Sequence, residues 1–289
     1  MAQEKKTGLQ LFNQTITAPQ TQKYLEDVLK ERKGSFVNNL TALVANSVAL
    51  QECQPLTVMF AALKATALDL PLEPSLGYAF CIPYNDNKNG TKVAQFQLGY
   101  KGYKQLALRS GQFKIIPRAT DVKEGELISR NRLTGECVFN FIDDEKEREK
   151  LPTIGYVSYF KLINGAESTF YMSKEEVEAH AMQYSQTYRS KNENTKRSSR
   201  WSLDFLGMAK KTVTKLNLSQ NAPLSVEMKD AILADQSIQF EAGKYEYIDN
   251  EVDFQKEMMD AQKAQEIADK FADFSEPEEV KEDKKGGKK

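Results

Sequence analysis

Apolar positions along the chain follow two periods, one of about 3.6 residues and one of about two. The longer period predicts helices over residues 21–33, 36–51, 56–70, 100–110, 173–183, 200–218 and 252–272. Apolar runs bounded by turn-forming residues predict strands over residues 78–84, 93–98, 113–119, 137–142, 154–163 and 168–172. Because helices precede and follow a block of strands, the pattern favours an α+β fold, with an antiparallel β-meander packed against helices.

Short local signals mark the ends of several elements. The pair Asn164-Gly165 stands between two predicted strands and is typical of a two-residue hairpin turn. Ser173 and Glu176 have the spacing of a capping box, so we expect a helix to begin just after Ser173. Gly111 is placed to end the helix over residues 100–110, because glycine readily adopts the left-handed conformation that follows many helices.

Composition predicts three segments. Residues 1–34 are expected to be an N-terminal arm that is mobile over its polar first 20 residues. Residues 35–240 hold most of the apolar positions and are expected to form the core. Residues 241–289 carry a net charge of −6 and are expected to be an acidic, partly disordered tail.

Charge is distributed unevenly, although the whole chain carries only −1. Residues 87–120 contain seven Lys or Arg and no Asp or Glu, and residues 189–215 carry +6. Tyrosines and phenylalanines are interleaved with the cations of the first window. Cations neutralise phosphates and aromatic rings stack on bases, so the pattern predicts a surface for single-stranded nucleic acid.

The helix over residues 100–110 has two chemically different sides. Lys101 and Lys104 share one side, and Tyr103 and Leu106 share the other. An ordinary solvated surface is the alternative interpretation, but such surfaces usually mix both signs of charge. We therefore expect one side to be buried and the other to present ammonium groups.

The helix over residues 200–218 carries an apolar stripe that includes Trp201 and Phe205, which we expect to be core residues rather than a base-stacking platform. Gly207 would leave room for another backbone to approach closely. Lys211 and Lys215 lie along one flank of the stripe, where spacing alone favours a DNA contact and an ordinary charged edge equally.

Residues needed for common catalytic centres are scarce. His180 is the only histidine, which excludes most histidine-based metal sites and triads, and its expected role is structural. Three scattered cysteines without a CxxC pair indicate reduced thiols in a cytoplasmic protein. The chain has no G-x-x-x-x-G-K-[ST] phosphate loop and no apolar run near the ~18 residues of a membrane span.

Four segments, in this order and spacing, resemble the RecT family of phage single-strand annealing proteins: DLPLEPSLGYAFCIPY, FQLGYKGYKQLALRSGQF, MSKEEVEAHA and WSLDFLGMAKKTVTKLNLS. The resemblance covers roughly residues 35–235, and GYKGYKQLALRSG and MAKKTV are its most specific parts. It implies an ATP-independent recombinase that needs no cofactor, binds single-stranded DNA, pairs complementary strands and assembles into rings or helical filaments. It also implies a core similar to that of the eukaryotic Rad-type annealing proteins.

The resemblance and the basic window together give the candidate DNA-binding residues. Those implied by the resemblance are Lys101, Lys104, Arg109, Lys210, Lys211 and Lys215, with Arg197 and Arg200 near a loop of variable length. The basic window adds Lys92, Tyr100, Tyr103, Lys114 and Arg118. The cations are expected to hold phosphates, and the tyrosines are expected to contact bases.

The partners implied are single-stranded DNA and the annealed duplex, further copies of the chain in a homo-oligomer, a phage 5′→3′ exonuclease and a host single-strand-binding protein, with no membrane. The apolar helices over residues 36–51 and 56–70 are expected to contribute to subunit contacts. The acidic tail is expected to recruit protein partners, and the protein is expected in the cytoplasm of a bacterial host.

Three alternatives stay open from the residues alone. A passive coating protein would use the same phosphate contacts without pairing strands. Asp121, Glu124 and Glu126 resemble a nuclease cluster that would bind magnesium, although an acidic turn after a strand is the simpler interpretation. A structural phage protein could instead use the basic window to bind an acidic protein.

Overall fold

The structure is a computed structural model, and it describes residues 7–86, 89–235, 237–241 and 244–246. All of these belong to one compact unit, residues 1–249. The predicted helix over residues 252–272 and most of the predicted acidic tail lie outside the described residues. The three-segment division of the chain stays a prediction.

Helices and antiparallel strands share the described part of the chain. The helices are α1 (Gly8–Thr17), α2 (Pro19–Leu29), α3 (Lys33–Ala45), α4 (Val48–Gln51), α5 (Pro55–Ala67), α6 (Tyr100–Arg109), α7 (Glu145–Arg148), α8 (Lys174–Tyr184), α9 (Glu193–Ser198), α10 (Arg200–Leu203), α11 (Phe205–Asn221) and α12 (Val226–Ala234). The strands are β1 (Ala79–Asp86), β2 (Thr91–Leu98), β3 (Phe113–Lys123), β4 (Leu127–Arg130), β5 (Cys137–Phe139), β6 (Thr153–Leu162), β7 (Glu167–Ser173), β8 (Ile238–Glu241) and β9 (Lys244–Glu246).

The nine strands of the described residues pair with one another in antiparallel fashion. Strands β3, β6 and β7 form a three-stranded sheet with β6 in the middle, and β1–β2, β4–β5 and β8–β9 form two-stranded sheets. The predicted α+β class with antiparallel strands is confirmed. The predicted similarity to a Rad-type core stays a prediction.

The predicted capping box and the predicted helix end at Gly111 are confirmed, whereas the hairpin turn at Asn164-Gly165 is longer than the predicted two residues, since Leu162 pairs with Ala166. The hydroxyl of Ser173 accepts from the N–H of Glu176 at 3.1 Å, and the Glu176 carboxylate accepts from the N–H of Ser173 at 2.8 Å, so the capping box begins α8. Gly165, in the turn between β6 and β7, has a φ of +93°. Gly111, just after α6, has a φ of +66°. Both glycines thus adopt the left-handed conformation that other residues avoid.

Residues 8–17 form α1 where we expected a mobile arm. The side chains of Thr7 and Gln10 cap the helix reciprocally, and Phe12 and Ile16 are buried in the core that α1 shares with α3 and α5. Leu9, Phe12 and Ile16 have helical spacing, but the polar residues between them hid the period in the sequence.

Helix α5 lies inside the chain. Every residue from 57 to 65 is buried, because α5 packs against β1, β2, β8 and α1. Leu56 and Ala67, at the two ends of α5, are exposed. The prediction that residues 36–51 and 56–70 contribute to subunit contacts stays a prediction.

Helices α6 and α11 pack against each other and against β3, and α11 also covers β6 and β7. Tyr103 and Leu106 of α6, Phe160 of β6 and Leu218 of α11 share one core with part of α12. This packing brings together the two helices that carry GYKGYKQLALRSG and MAKKTV. No helix among the described residues is long and apolar enough to cross a membrane.

Candidate nucleic-acid interface

The first turn of α6 lies directly against the backbone of residues 77–78. The N–H of Gly99 donates to the carbonyl of Tyr78 at 2.7 Å. A side chain at Gly99 would collide with the carbonyl of Gly77, and one at Gly102 would collide with the carbonyl of Tyr78. These two glycines therefore permit the close packing that fixes the direction in which the α6 side chains point.

The two predicted sides of α6 are confirmed. Tyr103 and Leu106 are buried, whereas Lys101 is exposed and Lys104 is half-buried. The Lys104 ammonium lies over the ring of Tyr100, 5.4 Å from the ring centre. This is the geometry of a cation–π contact, which holds the ammonium group near the surface without neutralising its charge.

Tyr103 cannot contact DNA bases, so this candidate is wrong. Its side chain is fully buried, and its hydroxyl donates to the Asp235 carboxylate at 2.9 Å. Burial first, and then the negative charge of Asp235, raise the pKa of the Tyr103 hydroxyl well above its ordinary value. The aromatic residues interleaved with the cations of the basic window suggested a base contact, but the ring of Tyr103 belongs to the core.

Tyr100 links α6 to β3. Its hydroxyl accepts from the N–H of Ala119 at 3.2 Å. Burial raises the pKa of this hydroxyl, while the Ala119 N–H and the charge of Arg118 act in the opposite direction. Arg118 is itself exposed. Lys104, Tyr100 and Arg118 thus lie close together, and we name these three side chains the α6–β3 group.

Helix α11 begins with a side-chain cap. The Asp204 carboxylate accepts from the N–H of Gly207 at 2.9 Å. A side chain at Gly207 would collide with this carboxylate. The glycine therefore makes room for the cap, and not for a neighbouring backbone as we expected.

Two of the predicted lysines of α11 surround one buried carboxylate. Asp235, just after α12, accepts from the N–H of Leu98 at 2.8 Å and from Lys215 at 2.9 Å, and the Lys211 ammonium lies 3.9 Å away. We name Asp235, Lys211, Lys215 and Tyr103 the Asp235 cluster. Burial alone would raise the pKa of Asp235, but the two lysines and the hydrogen bonds lower it to about 2.

Seven predicted cations have no carboxylate partner within the described ranges: Lys101, Lys104, Lys114, Arg118, Arg197, Arg200 and Lys210. Unpaired cations at a surface keep their full charge for an external anion. A phosphate backbone is such an anion, and its condensed counterions are released when protein cations replace them.

Two other predicted cations are engaged by local groups. Lys92 pairs with Glu52. Arg109 binds the carbonyl of Leu68 and lies 3.4 Å from Asp69. The structure does not bring these two cations into the α6–β3 group, since Arg109 stands at the opposite end of α6.

Arg197 lies in α9, within a segment that we did not predict to be helical, and Arg200 begins α10, at the start of the predicted helix. Helix α9 forms because the Asn192 side chain accepts from the N–H groups of Asn194 and Thr195. Arg197 and Arg200 are both exposed. Trp201 is buried against Tyr188 and Phe205, which confirms its expected place in the core.

Two of the three carboxylates of the nuclease alternative, Asp121 and Glu126, are paired with cations, whereas Glu124 is exposed. Glu126 is buried and accepts from Arg148 at 2.7 Å, and Asp121 lies 3.2 Å from Lys123 and 3.5 Å from Arg148. Burial would raise the pKa of Glu126, but hydrogen bonds from Arg148 and from backbone N–H groups lower it. No group of three metal-ligating side chains occurs within the described residues. The geometry favours a structural ion cluster that fastens α7 to β3.

The cysteines and the histidine stand apart from this interface. Cys53, Cys81 and Cys137 are free thiols. Burial raises the pKa of Cys53 to about 11, so the thiol stays protonated at neutral pH. The His180 ring lies 4.4 Å from the ring of Tyr184 on α8.

The RecT family model matches residues 34–264. The chain belongs to the RecT family. It is 39% identical over 242 residues to "Uncharacterized protein YqaK" of Bacillus subtilis (strain 168), covering 82% of this chain and 78% of that protein. It is 28% identical over 196 residues to "Protein RecT" of Escherichia coli (strain K12), covering 65% of each. The predicted resemblance is confirmed, and the matched region extends beyond residue 235, where our motifs ended.

Membership of the RecT family implies DNA binding and single-strand annealing in recombination, by proteins that form oligomers. Sequence reasoning missed Asp235, which pairs with two of the candidate lysines. Ser225 followed by Met228 and Ala231 at helical spacing could have indicated α12. Nothing local, however, indicates that the residue after this helix meets α6, α11 and β2.

Proposed function

We propose that this RecT-family protein anneals complementary DNA strands without ATP, as a homo-oligomer, during phage recombination. One observation carries the proposal beyond family membership: the unpaired cations stand on and beside the two helices that hold the family's most specific segments. These cations form no ion pair with a carboxylate of the described chain, so their charges stay available to an external anion.

The α6–β3 group supplies the mechanism. Lys104 and Arg118 hold phosphates of the first strand, and the strand's base edges stay free for a second strand to test by Watson–Crick pairing. The protein then reads no sequence, because pairing between the strands does so. Adjacent subunits align their cations into one continuous basic groove. This groove keeps the first strand extended and so lowers the entropic cost of bringing two flexible strands together.

The remaining parts of the proposal concern partners. A phage 5′→3′ exonuclease produces the single strand, and a host single-strand-binding protein occupies it beforehand; both act with this protein in the bacterial cytoplasm. No cofactor is proposed: ATP is not needed, and a role for magnesium has no support in the sequence.

Annealing of two complementary fluorescent oligonucleotides, without ATP, tests the proposal. We expect acceleration over the spontaneous rate that disappears at high salt, because phosphate contacts weaken as salt rises. Tight binding without acceleration would replace annealing by passive coating. Salt-insensitive or absent binding would instead support a structural phage protein with an acidic protein partner.

The nuclease alternative has its own measurement. The same oligonucleotides are incubated with the protein and magnesium and are then separated by length. We expect intact strands, because Arg148 and Lys123 already occupy Asp121 and Glu126. Shortened strands that disappear when Asp121 is replaced by Asn would restore the nuclease.

A further inference from the structure

The Asp235 cluster is electrically unbalanced. It holds two ammonium groups, from Lys211 and Lys215, and one carboxylate, while Tyr103 adds a neutral hydroxyl. The Asp235 side chain is 0% exposed, that of Lys211 is 12% exposed and that of Lys215 is 26% exposed. A partly buried positive charge without a counter-charge is costly, and within the described residues the cluster lacks a second anion.

The missing anion can approach only from the side of the lysines. The Asp235 carboxylate is enclosed by the N–H of Leu98, the hydroxyl of Tyr103 and the lysines themselves. Lys215 keeps about a quarter of its side chain open to solvent. An external anion would therefore meet the lysine ammonium groups and not the carboxylate.

The cluster adjoins the α6–β3 group. Thr214, next to Lys215 on α11, lies beside the hydroxyl of Tyr100. Tyr103 of the cluster and Tyr100 of the group are one turn apart on α6. A strand that is held by the α6–β3 group and continues towards α11 would bring its phosphates to the open side of Lys215.

We propose that Asp235 is a positioning residue for a phosphate site: it holds the ammonium groups of Lys211 and Lys215 side by side, and a DNA phosphodiester supplies the second negative charge from solvent. This inference rests on the proposed function, because it assigns a further contact to the same bound strand. It gives a role in DNA binding to a residue that carries the same sign of charge as DNA and acts through its two lysines.

Asp235→Asn is the test, and Asp230→Asn is its matched control. Asp230 lies on α12 and pairs at 2.5 Å with Lys64, whose side chain is 9% exposed. Both substitutions remove one negative charge beside a largely buried lysine, so general electrostatics predicts equal and slightly tighter DNA binding for both. Binding of a fluorescein-labelled oligo-dT strand is measured by anisotropy between about 50 and about 200 mM salt.

We expect Asp235→Asn to weaken binding and to lower the salt slope by about 0.7, the value of one single-strand phosphate contact. The ratio of affinities at the two salt concentrations then shrinks by about 2.6-fold. Asp230→Asn should keep the slope of the unmodified protein. Equal slopes and equal affinities for both variants would overturn the proposal.

A pH series separates positioning from a merely structural role. Burial lowers the pKa of Lys211, and Asp235 opposes this effect, while the charge of Lys215 adds to it. Tyr103, from α6, is the other titratable group that faces the carboxylate. Without Asp235, Lys211 should lose its proton at lower pH, so DNA affinity should fall with rising pH in Asp235→Asn more than in Asp230→Asn. Parallel pH profiles would contradict positioning.

If the Asp235→Asn variant does not fold, the variants Lys211→Gln and Lys215→Gln replace it in the test, because each of them keeps one lysine beside the Asp235 carboxylate. Both should lower the salt slope by about 0.7, and an unchanged slope in both would reject the site. Failure of the proposed function is distinguishable: the unmodified protein would then show no salt-dependent binding at all, whereas failure of this inference alone leaves that binding intact.

Discussion

Replacing Lys101 and Lys104 together by Gln is the sharpest test of the interface, because it removes two charges from the solvent side of α6 and leaves the buried side untouched. Neither ammonium group has a carboxylate partner among the described residues, so the substitution disrupts no ion pair of the folded protein. We therefore expect a melting temperature close to that of the unmodified protein and a loss that appears only with DNA.

The size of the loss follows from counterion release. Each phosphate contact on a single strand contributes about 0.7 to the slope of log affinity against log salt, so two contacts contribute about 1.4. Between about 50 and about 200 mM salt, the affinity of the unmodified protein should consequently fall about sevenfold further than that of the variant. Anisotropy of a labelled oligonucleotide over a salt series measures both slopes.

A matched control removes two positive charges elsewhere. Lys146 and Lys150 are both exposed, in and just after α7, and their double replacement by Gln changes the net charge equally. We expect the control to keep the slope of the unmodified protein. An unchanged slope for the Lys101 and Lys104 variant would refute the reasoning, and an equal reduction in both variants would show that net charge, not this surface, holds the strand.

Three further predictions concern stability, each measured by urea unfolding. Gly102→Ala should destabilise the protein by roughly 1–3 kcal/mol, because its methyl group would collide with the carbonyl of Tyr78; an unchanged midpoint would contradict the close packing. Arg148→Met should cost about 3 kcal/mol by leaving Glu126 buried without its cation, and a loss below about 1 kcal/mol would show that water replaces the guanidinium. Asp235, whose pKa is lowered to about 2, should stabilise the folded protein by about 2 kcal/mol above about pH 4, and this stabilisation should be lost towards pH 2. A difference in the free energy of unfolding between the unmodified protein and Asp235→Asn that does not shrink on acidification would refute this.

Local signals explain which parts of the fold could be predicted. The capping box at Ser173, the turn at Gly165 and the two sides of α6 depend on residues a few positions apart, and the structure confirms them. Helix α1 escaped prediction because only Leu9, Phe12 and Ile16 carry its apolar period among polar neighbours.

Long-range contacts explain what the sequence could not predict. Tyr103 looked like an aromatic partner for bases, yet its hydroxyl meets Asp235, 132 positions away along the chain. Glu126 looked available to a metal ion, yet Arg148, 22 positions away, occupies it. In both cases the sequence identifies the chemistry of the side chain but not its partner, because the packing of distant elements brings the two residues together.

The contact of Gly99 and Gly102 with the backbone of residues 77–78 has a mechanical consequence. Because the backbone of α6 packs directly on the backbone of residues 77–78, without intervening side chains that could change rotamer, α6 keeps a fixed orientation with respect to β1. The backbone positions of Lys101 and Lys104 are therefore fixed relative to β1. If these lysines hold DNA as proposed, salt should change how tightly each subunit binds the strand but not how many nucleotides it covers.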